Sequence, residues 1–470
     1  MGPLRSLISL IKFLVYCSPV LFLYFPEKTK AIGSHFHNVE VTSLLAAETC
    51  DRQSSTGSNS RKYSTTLEVV HMFGPCSPQH EHTKSKPSLV DNLSHEQSRV
   101  DLIQTRPKQN FLRNNKASLS TQSGMPLNTL TYVVTIGLGT PHQNVTLIFD
   151  TGSDLTWTQC QPCLECYEQR DPVYDPFSSS TYSKISCGSE CSKFGYVLSC
   201  FKGRCAYKRE YNDGSYSEGV VSIEKLTITP DVFEDFFFGC GQKNKGGTFG
   251  ETAGLLGLGR TANEMSFLYQ TTQKYNRYFS YCLPSTGSST GHLTFGRNKS
   301  KHSTKNVMFT PLIPHPDFYR IEIVAISVGK TRLPIQPSVF HNSRTIIDSG
   351  ATITRLPHEA YVLLRDAFKH KMGSSYATAP AHQILDTCYY FNNQTNVKYP
   401  FVSFTFSGGV EVKLHPSGII YPVNSTMVCF AFAGSTNPER SVFGNIQQKT
   451  LEIVYDLARE RLGFGQGGCK

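Results

Sequence analysis

The chain has few of the features that mark nucleic-acid-binding or membrane-spanning proteins. Only 17% of its 470 residues are charged, and the formal charge of +10 is spread thinly along the chain. The first 124 residues hold 14 Lys and Arg against 9 Asp and Glu, which leaves 32 against 27 of the totals of 46 and 36. Neither part is basic enough to argue nucleic-acid binding by itself. Beyond the N-terminal leader no run of 18 apolar residues occurs, which excludes a later membrane-spanning helix.

The composition that is present favours a large all-β protein. Hydrophobic residues make up 39% of the chain, which is ample for a buried core and excludes a small disulfide knot or a wholly disordered chain. The 36 Gly, 25 Pro, 23 Tyr and 30 Phe indicate many short strands joined by turns. Few segments have a helical pattern. The best is Pro357 to Lys371, with apolar residues on one face.

The N-terminal quarter of the chain has the composition of segments that precede the mature body. Residues 1–31 carry a basic start, an apolar run from Leu7 to Phe25 and small residues near Ala31, as in a secretory signal peptide. A membrane anchor or an organelle transit peptide is the alternative, because Lys12 interrupts the apolar run. Residues 32–124 hold too little apolar material for a domain and predict a pro-segment that folds on the body and is later removed. A flexible linker is the other interpretation.

Cysteine usage indicates an oxidising compartment. Of the 15 Cys, 12 lie between Cys160 and Cys469, an even number that suits disulfides. The other three lie in the leader or in the predicted pro-segment. Seven are crowded together, and they are Cys160, Cys163, Cys166, Cys187, Cys191, Cys200 and Cys205. This crowding is compatible with a zinc or iron–sulfur site, but no His lies among them, so we expect disulfides and no metal.

An internal repeat carries the functional signal. Asp150-Thr151-Gly152-Ser153 follows an apolar strand pattern, and Asp348-Ser349-Gly350-Ala351 follows another. Downstream of each comes an apolar-apolar-Gly turn, Leu255-Leu256-Gly257 for the first and Val442-Phe443-Gly444 for the second. One Asp-Ser/Thr-Gly tripeptide is weak evidence, but two copies in matching contexts are strong evidence. The repeat predicts two similar lobes, each contributing one carboxylate.

The residue types in the repeat fit acid–base chemistry at a shared centre. Gly152 and Gly350 permit sharp turns behind the carboxylates, so that the two loops approach face to face. The hydroxyls of Thr151 and Ser349 can then form hydrogen bonds across to the opposite loop. Two carboxylates held this close share a proton, so that one acts as a base towards water and the other as an acid.

With these motifs the sequence resembles the pepsin-like aspartic peptidases, and among them the plant nepenthesin-type branch, from about Tyr132 to the C-terminus. The resemblance implies two β-barrel-like lobes related by a pseudo-two-fold axis, here residues 125–310 and 311–470. It implies that Asp150 and Asp348 are the catalytic pair and that no cofactor is needed. It also implies a β-hairpin flap at Tyr211-Asn212-Asp213-Gly214-Ser215, with Trp157 as the hydrogen-bond partner of Tyr211. A Tyr before an Asp-Gly turn is also common in ordinary hairpins.

The resemblance further implies a set of disulfides, and the sequence contains glycosylation motifs. The implied pairs are Cys160–Cys163, Cys166–Cys240, Cys187–Cys205, Cys191–Cys200, Cys282–Cys469 and Cys388–Cys429. Five Asn-x-Ser/Thr sequons are candidate glycan sites in a secreted protein, and they are Asn92, Asn144, Asn298, Asn393 and Asn424.

The predicted function is that of a secreted aspartic endopeptidase, made as a zymogen and active at acidic pH in the extracellular space or apoplast. We expect protein or peptide substrates, a monomer, and the pro-segment as intramolecular inhibitor. Cleavage is expected near residues 115–130, and Arg99, Arg106 and Arg113 are expected to pair with carboxylates of the body until acid neutralises them.

Two other functions stay open on the sequence. One is a binding or inhibitor protein built on the same fold, although both carboxylates and both glycines are present. The other is a plastid DNA-binding protease, because His71 to Pro78 resembles the pro-region of chloroplast nucleoid DNA-binding members. The basic stretch from Arg106 to Lys116 is short, so nucleic-acid binding is not expected.

Overall fold

The protein is built mainly of β-strands joined by short turns, as the composition predicts. The computed structural model describes residues 35–52, 65–79 and 132–470, except 189–190, 192–193, 195–196, 212–213, 248, 262, 298–305, 392–395 and 438–439. The predicted signal peptide and the predicted cleavage region lie outside the described residues. No helix among those described is long and apolar enough to cross a membrane.

The strands fall into three groups along the chain. Two precede the body, and they are β1 Phe36–Glu40 and β2 Thr65–His71. Those of the first half of the body are β3 Tyr132–Leu138, β4 Gln143–Asp150, β5 Trp157–Gln159, β6 Ser183–Lys184, β7 Val197–Phe201, β8 Arg204–Glu210, β9 Tyr216–Ile228, β10 Asp231–Lys245, β11 Gly254–Gly257, β12 Tyr278–Cys282 and β13 Thr290–Phe295. Those of the second half are β14 Met308–Pro311, β15 Ile323–Val328, β16 Thr331–Arg332, β17 Ile346–Ile347, β18 Thr354–Leu356, β19 Ala377–Ala379, β20 Cys388–Tyr390, β21 Asn396–Pro400, β22 Val402–Phe406, β23 Val410–Lys413, β24 Ile420–Pro422, β25 Met427–Phe430, β26 Phe432–Gly434, β27 Val442–Phe443, β28 Glu452–Asp456 and β29 Arg461–Gly465.

Helices are few and short. They are α1 Phe267–Gln270, α2 Thr272–Tyr275, α3 Pro337–Ser343, α4 His358–Met372 and α5 Asn445–Gln448. Helix α4 lies where the sequence predicts it, with Ala360, Tyr361, Leu364, Phe368 and Met372 buried on one face. It ends at Gly373, whose φ of 57° is readily available to glycine.

One large sheet joins both halves of the body. Its strand order is β14-β29-β28-β12-β13-β2-β3-β4-β11-β5-β10-β9-β8-β7, with β6 paired to β9. The C-terminal strands β28 and β29 therefore continue a sheet that begins in the first half. Three four-stranded sheets complete the second half, in the orders β16-β15-β22-β23, β17-β27-β18-β26 and β19-β20-β25-β24.

The predicted repeat is visible in the strand pairing. In the first lobe β4 runs parallel to β11 with Asp150 opposite Gly257, and β5 pairs antiparallel to β11. In the second lobe β17 runs parallel to β27 with Ile347 opposite Phe443, and β18 pairs antiparallel to β27. Each lobe thus presents its Asp at the end of a buried strand, beside its apolar-apolar-Gly turn. The two-lobed, all-β, pepsin-like fold is confirmed.

The described part of the predicted pro-segment is docked on the body by strand pairing. Strand β1 pairs antiparallel with β21, and β2 lies between β13 and β3 in the large sheet. A disulfide that the sequence analysis did not include, Cys50–Cys76, closes this segment on itself.

Two of the implied disulfides in the Cys-rich region are wrong in the structure because strand geometry favours another partner. Cys160 pairs with Cys240 instead of Cys163, and Cys163 pairs with Cys166. Strands β5 and β10 run parallel, and the amide of Cys160 donates to the carbonyl of Gly241 at 2.8 Å. The Cα atoms of Cys160 and Cys240 are consequently 5.4 Å apart, which suits a disulfide.

Two further implied pairs, Cys187–Cys205 and Cys191–Cys200, are exchanged in the structure. Cys187 bonds Cys200, and Cys191 bonds Cys205. Cys191 and Cys205 are both buried in one apolar cluster, whereas Cys200 is exposed and Cys187 is half-buried. The buried cysteines thus bond each other, and so do the two that are more exposed. Sequence spacing does not reveal this difference in burial.

The remaining implied pairs are present. Cys282 at the end of β12 bonds Cys469, and Cys388 bonds Cys429 directly across the β20–β25 pair.

Candidate functional site

The two Asp-containing loops meet through a reciprocal pair of hydrogen bonds. The amide of Thr151 donates to Oγ of Ser349 at 3.1 Å, and the amide of Ser349 donates to Oγ1 of Thr151 at 2.9 Å. Asp150 and Asp348 are 1% and 0% exposed, respectively. The structure therefore brings together the two loops that the sequence singles out, with the hydroxyls in the cross-loop role expected of them.

Each carboxylate also accepts a hydrogen bond from its own loop. The amide of Gly152 donates to Oδ1 of Asp150 at 2.9 Å, and the amide of Gly350 donates to Oδ1 of Asp348 at the same distance. These bonds need a chain that turns back immediately after the Asp, which a small residue at the second position after it favours. The two loops thus have matching local geometry.

The two loops differ at the third residue after the Asp. Ser153 donates from Oγ to Oδ2 of Asp150 at 2.7 Å. The corresponding residue of the second loop is Ala351, which has no hydroxyl to donate and packs in an apolar cluster with Phe318 and Ile346. Because a hydroxyl donor stabilises a carboxylate over a neutral carboxyl group, residue 153 favours the charged form at Asp150.

Helix α5 supplies a second layer of support that the sequence analysis did not identify. Nδ2 of Asn445 donates to the carbonyl of Ser349 at 3.0 Å, and Nε2 of Gln448 donates to the carbonyl of Asp348 at 3.2 Å. Both side chains are buried, at 1% and 0% exposure. The signal available in the sequence was their position directly after Val442-Phe443-Gly444, where polar residues follow an apolar turn.

Two buried tyrosines lie beside this support. The hydroxyl of Tyr281 donates to Oε1 of Gln448 at 2.5 Å, and the hydroxyl of Tyr455 lies 3.5 Å from that of Tyr281. Burial is the main cause that raises the pKa of both Tyr281 and Tyr455 above the ordinary value, and the charge of Asp348 adds to it. Both phenols therefore stay neutral and bring no additional charge to the site.

Asp154, just after the first loop, is buried and accepts two hydrogen bonds. Oδ1 of Asp154 accepts from the amide of Thr261 at 2.8 Å, and Oδ2 accepts from its hydroxyl at 2.7 Å. This ties the loop to the segment after Gly257. The sequence analysis did not single out Asp154, because a third acidic residue four positions after Asp150 has no distinct signature.

The hairpin between β8 and β9 carries the predicted flap residues. Nε1 of Trp157 donates to the hydroxyl of Tyr211 at 2.8 Å, which is the contact expected between them. Both rings pack against Phe249, with centroids 4.9 Å and 5.1 Å away. The amide of Gly214 donates to the carbonyl of Tyr211 at 3.1 Å, with φ of 80° at the glycine. The other two turn residues, 212 and 213, lie outside the described part.

The remaining predicted residues either lie on the protein surface or fall outside the residues that the structure describes. Asn144 and Asn424 are exposed, in β4 and in the turn after β24. The other three sequon residues, Asn92, Asn298 and Asn393, lie outside the described residues, as do Arg99, Arg106 and Arg113. Among the residues that the structure describes, no group of three or more His, Cys, Asp or Glu is arranged to hold a metal ion.

Comparisons with known proteins match both halves of the body. One family profile, described as xylanase inhibitor N-terminal, matches residues 132–297, and another, described as xylanase inhibitor C-terminal, matches residues 318–466. The aspartyl protease AED1 of Arabidopsis thaliana is 42% identical, with 100% of this chain and 100% of that protein covered. The aspartic proteinase nepenthesin-1 of Nepenthes gracilis is 34% identical over 72% of this chain and 78% of its own length.

Solved structures share the fold at lower identity. The crystal structure of edgp has a TM-score of 0.58 at 20% identity, covering 72% of this chain and 92% of that one. Basic 7S globulin from soybean has the same TM-score and identity, with 72% and 91% covered. At this identity the likeness establishes the architecture alone.

Proposed function

The chain belongs to the pepsin-like aspartic protease family of plants, and from this premise we propose that it is an aspartic endopeptidase with Asp150 and Asp348 as its catalytic pair. In such a pair the two carboxyl groups share one proton, because two adjacent charges repel each other. The ionised member removes a proton from a water molecule that attacks the peptide carbonyl carbon. The protonated member donates to the carbonyl oxygen, and the resulting tetrahedral intermediate collapses when the amine nitrogen takes up a proton. The products are a carboxylic acid and an amine.

The observation that carries this proposal is the reciprocal pair of hydrogen bonds between Thr151 and Ser349. These bonds join the two loops directly behind Asp150 and Asp348. A pair of carboxyl groups that must share a proton and a water needs a fixed separation, and two buried, crossed hydrogen bonds supply that rigidity.

Within this function, Ser153 determines the roles of the two carboxyl groups in the resting enzyme. Its hydroxyl stabilises negative charge at Asp150, whereas Ala351, at the matching position of the second loop, has no hydroxyl. Asp150 is then the ionised member that activates water, and Asp348 is the member that holds the proton. The hairpin with Tyr211 and Gly214 closes over the substrate, and the bond from Trp157 orients the tyrosine.

The cellular setting follows from the disulfides and the N-terminal segments. Seven disulfides suit a secreted protein that works outside the cell, in the apoplast. We propose a zymogen processed near residues 115–130 and active at acidic pH, with glycans at exposed sequons such as Asn424. The mature enzyme acts on protein or peptide substrates without a second copy of itself.

A cleavage assay with matched Asp→Asn variants tests the catalytic assignment. Acid-denatured protein is the substrate, with pepstatin as a transition-state mimic that should inhibit. Asp150→Asn and Asp348→Asn should each abolish cleavage while the fold is retained. Asp366→Asn is the control, because this exposed carboxylate pairs with Arg365 on α4, away from both loops. Cleavage by either catalytic-loop variant at the level of the control would defeat the assignment.

A binding protein on the same fold is the second candidate, favoured by the two matching profiles, which are described as parts of xylanase inhibitors. The intact Asp-Thr-Gly and Asp-Ser-Gly loops argue against it, since an inhibitor needs no paired carboxylates. A folded wild-type protein that neither cleaves substrate nor binds pepstatin, but binds a glycoside hydrolase, would favour this candidate.

A further inference from the structure

The N-terminal segment, here residues 36–79, takes part in the central sheet of the protein. Strand β2 forms six antiparallel residue pairs with β13, from Thr65 opposite Phe295 to Val70 opposite Thr290. On its other side it pairs with the start of β3, where His71 lies opposite Tyr132. A strand in this position supplies hydrogen bonds to two neighbours that would otherwise have open edges.

Near its C-terminal end, β2 is buried against the body on both faces. Val69 is 0% exposed and belongs to the main core cluster of the protein. Val70, 4% exposed, points to the opposite face and packs in the cluster that contains Trp157. Met72 and Cys76 extend this second contact at 1% and 2% exposure. Loss of the segment would therefore open two apolar cores at once.

The chain on either side of β2 adds polar and close backbone contacts. The amide of Asp51 donates to the carbonyl of Ser288 at 2.7 Å, and the amide of Ala47 donates to its hydroxyl at 3.0 Å. A Cβ atom on Gly74 would lie 1.9 Å from the carbonyl oxygen of Gly287, so the two backbones touch there. The segment thus contacts the backbone of the body directly on both sides of β2.

A second strand attaches the segment to the other lobe. Strand β1 forms five antiparallel pairs with β21, from Phe36 opposite Pro400 to Glu40 opposite Asn396. Since β2 pairs with strands of the first lobe, the segment contacts both lobes of the body.

The covalent connections do not link the segment to the body. Cys50 bonds Cys76 inside the segment, and the twelve cysteines of the body bond one another. The disulfide also joins the part with β1 to the part with β2, so a cut between residues 53 and 64 would release neither part. A cut after Gln79 leaves the segment attached by strand pairing and packing alone.

We propose that residues 36–79 stay bound to the body after processing as a noncovalent light chain, so that the mature protein consists of two chains. The surface formed by β13, β3 and β21 is the binding site for this light chain. Removal then concerns only the residues between Gln79 and the cleavage point, which include Arg99, Arg106 and Arg113. The proposal goes beyond the proposed peptidase activity and does not require it.

Two histidines make the attachment sensitive to acid. His37 on β1 lies against the rings of Tyr399 and Phe401, and burial with the nearby His415 lowers its pKa to about 4. Its Nε2 is buried and has no hydrogen-bond partner among the residues described. Protonation of His37 would bury an unpaired N–H and a charge, which weakens the bound state.

His71 at the end of β2 is in a similar position. It contacts the ring of Tyr132, and burial, together with the charge of Lys449, lowers its pKa to about 4. Its Nδ1 accepts a hydrogen bond from the amide of Phe73 at 3.3 Å. A histidine with a lowered pKa stabilises the bound state above its ordinary pKa of 6.5, and this contribution is lost as the pH falls towards 4.

A protein cut at one known point tests the proposal. A recognition sequence for a site-specific protease is inserted between Asn114 and Asn115 of the full-length Asp150→Asn variant, so that no self-cleavage occurs. After the cut, native size-exclusion chromatography at pH 7 and intact mass measurement should find both chains in one peak in equal amounts. At pH 7 they should separate only in denaturant. A folded body that elutes without the N-terminal fragment would overturn the proposal.

Hydrogen exchange gives a second readout that does not depend on chromatography. The amides of β2 should remain as protected after the cut as before it. If the new N-terminus of the body replaced β2 in the sheet, these amides would exchange freely while β3 and β13 stayed protected, and the proposal would be wrong.

Matched variants on β2 test whether its buried side chains hold the light chain on the body. Val69→Ala removes buried methyl groups, whereas Thr66→Ala changes an exposed position on the same strand. The light chain should dissociate on the order of tenfold more readily from the Val69→Ala protein than from the Thr66→Ala protein. Equal retention in both would contradict the proposed binding surface.

Discussion

Replacing Ser153 by Ala would test which carboxyl group of the pair is ionised in the resting enzyme. The change removes the donor that lies 2.7 Å from Oδ2 of Asp150 and leaves the bond from Gly152 in place. It also leaves the crossed bonds between the loops unchanged, because these involve Thr151 and Ser349. Any effect on catalysis therefore reports on charge at Asp150.

The size of the effect follows from the strength of one hydrogen bond to a buried charge. Such a bond contributes about 1.5 to 3 kcal/mol to the ionised state. Since a tenfold change in an equilibrium corresponds to roughly 1.4 kcal/mol, its loss raises the lower apparent pKa of the pair by about one to two units. In the variant the shared proton can move to Asp150 and leave the charge on Asp348, which limits the rise in the lower apparent pKa of the pair. We therefore expect a rise of about one unit.

The assay is the pH dependence of kcat/KM, measured from about pH 2 to 7, where the two limbs of the profile report the two apparent pKa values of the free enzyme. For Ser153→Ala the acid limb should move to higher pH, while the other limb stays in place. The reason is that both the singly and the doubly ionised pair contain an ionised Asp150. An unchanged acid limb with a raised upper limb would refute the reasoning and make Asp348 the ionised member.

Two further variants make this prediction specific. Ala351→Ser places a hydroxyl beside Asp348, and if it donates to that carboxylate the upper limb should fall by about one unit. Ser266→Ala removes a buried hydroxyl that has no hydrogen-bond partner among the described residues, and it should leave both limbs unchanged. A thermal unfolding scan of all three proteins checks that the fold is retained.

Three more outcomes are expected from other parts of the structure. Trp157→Phe removes the 2.8 Å bond to Tyr211 and should lower kcat/KM by about threefold to tenfold, measured on a peptide substrate with the fold intact. Thr151→Ala removes one of two buried cross-loop bonds and should destabilise the protein by about 1 to 3 kcal/mol in urea unfolding. The pKa values of His37 and His71 are lowered to about 4, so the free energy of unfolding of the uncut protein should fall as the pH drops from 6.5 to 4. After allowance for solvent screening, the expected loss is about 1 to 2 kcal/mol for each histidine. His37→Phe with His71→Phe should flatten that dependence, and an unchanged slope would contradict it.

The sequence analysis was most successful where function depends on contiguous residues. The motifs at Asp150 and Asp348 are short, each follows an apolar strand, and each is paired with a later glycine turn. Local patterns of this kind predict a strand and a turn directly, and the repetition predicts two lobes. The hydrogen bond between Trp157 and Tyr211 came from the family resemblance, because the residues are far apart in sequence.

Contacts between elements that are distant in the chain could not be predicted from the sequence. Which cysteine faces Cys160 depends on the parallel pairing of β5 with β10, 80 residues apart in the chain. The support from Asn445 and Gln448 depends on a short helix of the second lobe lying behind the loops. The docking of β2 depends on the free edges of β3 and β13.

The sequence by itself determined which residues form the candidate site, because two acidic residues on glycine turns are specified by residues that adjoin each other in the chain. It also determined the β-rich character, which follows from apolar alternation and turn residues. The tertiary structure alone decided which cysteines bond and where the N-terminal segment is bound. Those outcomes depend on strand register and on burial from both sides, which arise only when segments far apart in the chain compete for the same edges and the same core.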